Sequence, residues 1–599
     1  MGTSTAAFHQ FEHFDNLVEM FFARAEANGH KPFLVARKDN GWQAISWHDT
    51  ARQVTALALS LRELGVQAGD RVMLVSENRP EWCIADLAIM AAGGVTVPTY
   101  TTNTERDHSH ILSDSGARFV IFSNQKIGQN LLPAVMRAPA VAAVITMEPV
   151  KTGQGHCHHA TWAHLLARPV TDADIHMLRD SCTAKRADLA CIIYTSGTGG
   201  VPRGVMQHHG AILLNVAGAF ALVAEDFGIA DERFLSFLPL SHSYEHTGGQ
   251  FLPIGLGGEI WYAEGLDKLA SNIEESSPTI MVVVPRLFEV LRQKIVKQIE
   301  KKGGVATWLL DRALRNAERQ AEGRASLLDW PIERLLDRTL RPQIQARFGG
   351  RIKAMVSGGA PLNPEVGRFF SAMGLTLLQG YGQTEAAPII SCNRPKTGIA
   401  MHTVGPPIDG VEVRIAEDGE ILVRGEIVMH GYWNNPAETA KALQHGWLHS
   451  GDVGHIDELG RIVITDRKKD LIVNDKGDNV SPQRVEGMLT LQPEILQAMV
   501  IGDRRPHLVG LIVPDPEWVN TWAAAGHDPT DRAALTKAVM AAVDRVNRDI
   551  SVIEKVRRIC LADAPFTVEN EMLTPSMKIR RHQIRAIYGD RLEALYGSH

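Results

Sequence analysis

Short, continuously apolar runs alternate with longer segments of helical period through most of the chain. Arg71 to Ser76 reads as a buried strand, Trp82 to Ala92 as a helix and Phe119 to Phe122 as a strand, the alternation of parallel sheets covered by helices. Ala190 to Tyr194, Arg233 to Leu238, Ile280 to Val284 and Ala354 to Val356 are further buried-strand candidates. From Thr403 to Ile464 the pattern changes to short β-branched strands, such as Glu420 to Val423 and Ile462 to Thr465, punctuated by Gly and Pro; this predicts a small β-rich subdomain. The polar stretch Arg467 to Asp470 then leads into strands at Ala498 to Ile501 and Leu508 to Val513 and a helix near Ala533 to Val546. The expected fold class is α/β. An N-terminal domain (1–466) of parallel sheets with a β-rich subdomain (about 403–464) precedes a small α+β C-terminal domain (467–599).

Composition supports that picture. At 599 residues, 45% hydrophobic and 22% charged, the chain has the balance of a globular protein rather than a disordered one. A net charge of −6 excludes a globally basic nucleic-acid binder. Cys83, Cys157, Cys182, Cys191, Cys392 and Cys560 form no CxxC pair, as in a reducing compartment. The run His156-Cys157-His158-His159 reads as a polar loop without a second ligand group at zinc spacing, so no metal is expected there. No signal peptide is visible, and no run approaches the roughly 18 apolar residues of a bilayer span. A soluble or at most peripheral protein is expected.

Charge is unevenly distributed, however. Residues 286–353 carry 16 Lys+Arg and 8 Asp+Glu, a local +8 that leaves −14 for the remainder. Leu287, Val290, Leu291, Ile295 and Ile299 recur at helical spacing, so the segment begins as a basic amphipathic helix. It reads either as a solvated helical hairpin packed on the core or as a surface that meets anionic lipid, where each nearby cation contributes about 1 kcal/mol.

The clearest chemical signal is Tyr194-Thr195-Ser196-Gly197-Thr198-Gly199-Gly200-Val201-Pro202-Arg203-Gly204 after a buried strand. Glycines with interleaved hydroxyls let N–H and O–H groups converge on phosphate oxygens, and Arg203 adds a cation. No GK[ST] closes the run, so it is not a Walker A loop, and its glycine spacing is not that of a dinucleotide fingerprint.

This run resembles the phosphate loop of adenylate-forming enzymes, whose usual form is TSGTTGxPKG, with Gly199 in place of a Thr and Arg203 in place of the Lys. Other motifs of that superfamily follow in order. Leu238-Pro239-Leu240-Ser241-His242 resembles the segment whose histidine lies beside the reacting carboxylate. Ser357-Gly358-Gly359-Ala360-Pro361 resembles the loop bordering adenine, and Tyr381-Gly382-Gln383-Thr384-Glu385 the aromatic-x-x-Thr-Glu motif. Ser450-Gly451-Asp452 resembles the ribose-binding segment, Asp466-Arg467-Lys468-Lys469-Asp470 the hinge, and Leu573-Thr574-Pro575-Ser576-Met577-Lys578 the C-terminal catalytic segment. Met577 stands where many members have Gly; with the basic insertion and the Met572 to His582 ending, it is similar to the long-chain fatty-acyl-CoA synthetase branch.

The resemblance implies a two-step reaction. A carboxylate attacks the α-phosphorus of ATP to give an acyl adenylate, and a thiol then displaces AMP. It implies Mg²⁺ on Glu385, a donor to phosphate at Thr384, an adenine face at Tyr381, ribose contacts at Asp452 and Arg467, and a charge clamp at Lys578. It also implies a C-terminal domain that swings about Lys469 and a pantetheine channel near Gly477. The expected function is an ATP-dependent long-chain fatty acid:CoA ligase with ATP, Mg²⁺ and CoA as cofactors. The alkyl chain is expected in an apolar tunnel between the insertion and the Gly380 strand. Competing readings are a fatty acyl-AMP ligase delivering to an acyl carrier protein and a catalytically silent nucleotide- or lipid-binding protein. The expected location is cytoplasmic, with peripheral contact at the inner membrane face through residues 286–353; oligomeric state is not legible, a homodimer being one option.

Overall fold

The structure is a computed structural model. It describes residues 8–39, 41–151, 156–195, 202–301, 303–321, 324, 330–468, 470–476, 478–567, 569–574 and 579–597. Two helix-covered sheets dominate it. One has seven strands in the order His158–Thr161, Ala143–Thr146, Phe119–Phe122, Arg71–Val75, Val95–Pro98, Leu189–Thr195 and Arg203–His208; all pair in parallel except the last two. The other has eight: Ile389–Cys392, Leu377–Gly382, Ala354–Ser357, Ile280–Val283, Arg233–Ser236, Glu259–Tyr262, Pro32–Lys38 and Gly41–Ser46. Its outermost pairs are antiparallel and its centre parallel. The central strands are buried along their whole length, as in Phe119–Phe122 and Ile280–Val283, which is why they read as unbroken apolar runs.

Contrary to the expectation that no run approaches a bilayer span, the helix His209–Asp226 is long and apolar enough to cross a membrane, but most of it is buried inside the fold. It is a core helix: Ala211, Ile212, Leu213 and Val216 pack with Phe11, Phe251 and Ile254. The sequence gives no hint of this burial, because an all-round apolar helix suits a protein core as well as a bilayer.

A five-stranded antiparallel sheet, Glu412–Ile415 through Ile462–Arg467, forms the β-rich region. Beyond it lie a two-stranded ribbon, Ile472–Val473 with Asn479–Val480, and a three-stranded sheet of Ile495–Ile501, Leu508–Pro514 and Val556–Leu561. The latter sheet carries the helices Arg532–Asp549 and Arg581–Gly597 on two separate apolar clusters. The fold class is therefore the α/β architecture expected.

Two local readings are corrected. His158 and His159 belong to an edge strand, paired in parallel with Ala143–Thr146, rather than to a loop; the strand's polar residues are tolerated because only Ala160 is buried. Among the described residues the basic insertion is not a hairpin but holds four α-helices, Pro285–Lys301, Gly304–Ala321, Trp330–Arg338 and Leu340–Arg347. Ile295, Ile299, Leu310, Leu336 and Ile344 bury their apolar faces against Met281, Val283, Met355 and Phe370.

Candidate functional site

Parallel strands end on a common edge, so the residues that follow them converge. Leu377–Gly382 delivers Gln383, Thr384 and Glu385; Ala354–Ser357 delivers Gly358 and Gly359; the segment after Arg233–Ser236 delivers His242. On the other sheet, Thr195 ends one strand and pairs in register with Arg203. These residues, with Tyr381 and Arg467, line a single cavity of about 500 Å³. Thr574, Ile579 and Arg580 from the C-terminal segment line it as well.

Each predicted residue has a definite setting. Tyr381 is buried and its hydroxyl donates to Asp452 Oδ2 at 2.7 Å. Arg467 Nε donates to the other carboxylate oxygen at 3.1 Å. Asp452 thus sits behind the cavity wall rather than in it, fixing one aromatic and one cation that do face the cavity. Burial disfavours the Arg467 charge, but the neighbouring Asp452 and Asp470 outweigh it and hold the guanidinium's pKa above its ordinary value.

The Thr384 hydroxyl lies 3.1 Å from Ser243 Oγ, and its carbonyl accepts from Gln207 Nε2 at 2.7 Å. Glu385 Oε1 accepts from the Tyr432 hydroxyl at 2.8 Å. His242 caps the short helix Ser243–Glu245, its Nδ1 accepting from the Tyr244 N–H at 3.2 Å. Gly358 is required where it is: a Cβ there would lie 2.8 Å from the Tyr244 ring, whose hydroxyl donates to the Val356 carbonyl. Ala360 is exposed and does not line the cavity. Ser196, Gly197, Thr198, Gly199, Lys469, Gly477 and Lys578 lie outside the described residues.

The cavity has a second, apolar arm lined by Ala219, Leu222, Val223, Phe227, Ile280, Val282, Ala354, Val356, Leu378 and Cys392. Strand alternation settles its place. Ile280, Val282, Ala354, Val356 and Leu378 face the arm, while the intervening Met281, Val283, Met355 and Leu377 pack with the insertion on the opposite face. The arm therefore runs between the sheet and the helix His209–Asp226, not against the insertion as the sequence suggests.

Several lining residues escaped sequence reasoning. Ser243, Tyr244, Tyr432 and Glu438 all border the cavity. Tyr432 and Glu438 come from the β-rich region, where an aromatic after a glycine and a helix-initiating Asn-Pro pair are ordinary turn signals. A buried carboxyl also lies beneath the site. Glu245 Oε1 accepts from Ser236 Oγ at 2.6 Å, and burial pushes its pKa up to about 8 against hydrogen bonds from Ser236 and the Phe237 backbone.

Comparison with known proteins bears on this geometry. Residues 21–433 match the AMP-binding enzyme family and residues 469–599 the AMP-binding enzyme C-terminal domain. The chain is 32% identical over 609 residues to long-chain-fatty-acid–CoA ligase FadD15 of Mycobacterium tuberculosis, covering 99% of this chain and 98% of that protein. It is 29% identical to long-chain-fatty-acid–CoA ligase 6 of Mus musculus, covering 99% and 88%. Among solved structures, the adenylation domain of a carboxylate reductase from Mycobacterium chelonae superposes with a TM-score of 0.78 at 20% identity, over 99% of this chain and 93% of that one. An anthranilate CoA ligase in complex with anthranoyl-AMP superposes with a TM-score of 0.73 at 20% identity, over 97% and 98%.

Proposed function

The chain belongs to the AMP-binding enzyme family, and from that premise we propose that it is an ATP-dependent long-chain fatty acid:CoA ligase. The observation that carries this is the two-armed cavity, polar at the strand ends and apolar between the Ile280–Val283 strand and the helix His209–Asp226. A carboxylate held at the junction places its alkyl chain in the apolar arm, gaining about 0.8 kcal/mol per buried CH₂. Its head then lies beside His242, Thr384 and Glu385.

Joining two anions is the barrier to the first step. Arg203, the Thr384 hydroxyl and the loop Ser196 to Gly199 are the donors proposed for phosphate oxygens, and Tyr381, Gly358 and Gly359 the walls for adenine, with Ala360 at the loop's exposed end. Arg467 is assigned the ribose end, held there by Asp452 from behind the cavity wall. Mg²⁺ is assigned to the Glu385 carboxylate, a hard oxygen donor that lines the polar end of the cavity together with Thr384; it would supply charge neutralisation on the phosphates when bound. Lys578 is the proposed clamp on the developing charge, supported by its neighbours Thr574, Ile579 and Arg580 in the cavity wall. Lys469 as hinge and Gly477 as part of the CoA channel complete the assignment.

The division into 1–466 and 467–599 is supported by the apolar clusters Ile472–Leu561 and Met499–Leu592, which draw only on C-terminal residues. The proposed location is cytoplasmic with peripheral membrane contact, and the contact is favoured by the insertion, where Val305, Trp308 and Trp330 are 77%, 52% and 60% exposed amid excess positive charge.

Purified protein given palmitate, ATP, Mg²⁺ and CoA is expected to release AMP and form the thioester. No turnover with any acid from six to twenty carbons rejects the ligase reading. Turnover with a carrier protein's pantetheine thiol but not with CoA favours the acyl-AMP ligase instead.

A further inference from the structure

The cation of the phosphate loop is not simply aimed at the cavity; it is held from two sides. Arg203 Nη1 donates to Glu438 Oε2 at 2.8 Å, and the two side chains are 28% and 30% exposed. The guanidinium lies over the Tyr432 ring, 4.4 Å from its centroid. That ring is fixed at both ends. Its hydroxyl donates to Glu385 Oε1 at 2.8 Å, and its backbone N–H donates to Thr439 Oγ1 at 2.9 Å. Glu438 is anchored in turn: its backbone N–H donates to the capping Asn435 side chain, and Lys441 Nζ donates to its Oε1 at 2.6 Å. Arg203, Glu438, Tyr432 and Glu385 all line the same cavity.

We propose that Glu438 is a positioning residue which competes with phosphate for Arg203 and thereby governs pyrophosphate release. The proposal rests on the ligase reading for its reaction, but its chemistry is local. A guanidinium has five N–H donors in a fixed plane, so stacked on Tyr432 it can turn a second edge to a phosphate oxygen as the edge on Glu438 lets go. An ammonium has no flat face to stack and no second edge, which gives the arginine at this position a physical reason. When ATP binds, the triphosphate draws the guanidinium from a carboxylate of like charge to itself. Once the acyl adenylate has formed, the departing pyrophosphate must give Arg203 up, and Glu438 is the anion placed to take it. No covalent step is involved: one charge-assisted pair is exchanged for another.

The test uses the full-length protein with inorganic pyrophosphate as probe, titrated calorimetrically in the presence of Mg²⁺. Glu438→Gln, nearly isosteric, is expected to bind pyrophosphate about fivefold more tightly than wild type, the size of a part-exposed ion pair. In a background of Arg203→Gln the same change is expected to bring no gain, because the competition is for the guanidinium. Glu438→Ala gives the same direction, so a folding defect in one variant leaves the other to decide. Unchanged affinity in Glu438→Gln, or an equal gain when Arg203 is absent, overturns the proposal; the second outcome reduces Glu438 to plain charge repulsion. Palmitoyl-CoA formation by the same wild-type preparation bears on the ligase reading alone, so the two can fail separately.

Discussion

Glu245 shows how a single buried group writes itself into the pH dependence of the whole fold. Its pKa rises from an ordinary value near 4.5 to about 8, chiefly because burial disfavours the carboxylate. The folded chain therefore holds a proton that the unfolded chain releases, a contribution to stability complete below about pH 4.5 and lost as pH rises toward 8. Glu245→Gln keeps the neutral shape without the proton. Its melting temperature relative to wild type is expected to rise between pH 5 and 8 and then level off; a pH-independent difference contradicts the neutral acid. Other site residues differ in how far sequence reveals them. Tyr381, Thr384, Glu385 and Arg467 lie in recognisable motifs and do meet in one cavity. Glu438 reaches Arg203 from 235 residues away, and no local spacing encodes that contact.

At the scale of elements, the decisive fact is strand alternation. Ala354 faces the apolar arm and Met355 the insertion. Ala354→Phe is expected to shorten the arm and move the acid preference to shorter chains, while costing about 1–3 kcal/mol in overpacking. Met355→Phe, on the other face, is expected to lower the melting temperature and leave the chain-length profile where it was. A chain-length series run on both variants checks this; a matching shift in the two places the alkyl chain elsewhere. The sequence identifies each of these strands as apolar throughout, but a strand buried on both faces does not announce which face meets substrate. For that reason the arm was expected against the insertion and lies instead beside the helix His209–Asp226.

At the scale of the molecule, the insertion links two surfaces. Inward, it packs on the eight-stranded sheet and touches the C-terminal segment, where Lys297 pairs with Glu517 and Leu491 packs against its cluster. Outward, Trp308 and Trp330 are exposed on consecutive helices, with the Arg334 guanidinium 5.2 Å above the Trp330 ring. Aromatic rings among cations suit the head-group zone of an anionic bilayer. Flotation with phosphatidylserine vesicles is expected to carry the protein upward, and neutral vesicles to do so much less. Replacing Trp308 and Trp330 together by Ser is expected to weaken flotation at least severalfold without lowering the melting temperature. Equal recovery with both lipids, or an unaffected double variant, removes the membrane reading.

What the sequence determined by itself is the alternation of strands and helices, the β-rich region after Thr403, the unequal spread of charge and the ordered set of motifs along the chain. All of these are local, because period, turn chemistry and residue type act over a few neighbours. Tertiary structure alone decided the rest: that Asp452 sits behind the wall holding Tyr381 and Arg467, that Tyr432 joins Glu385 to Arg203, and on which side of a sheet the apolar arm opens. Those are contacts between residues far apart in the chain, fixed by which sheets and helices pack face to face, and packing is settled only when the whole core closes.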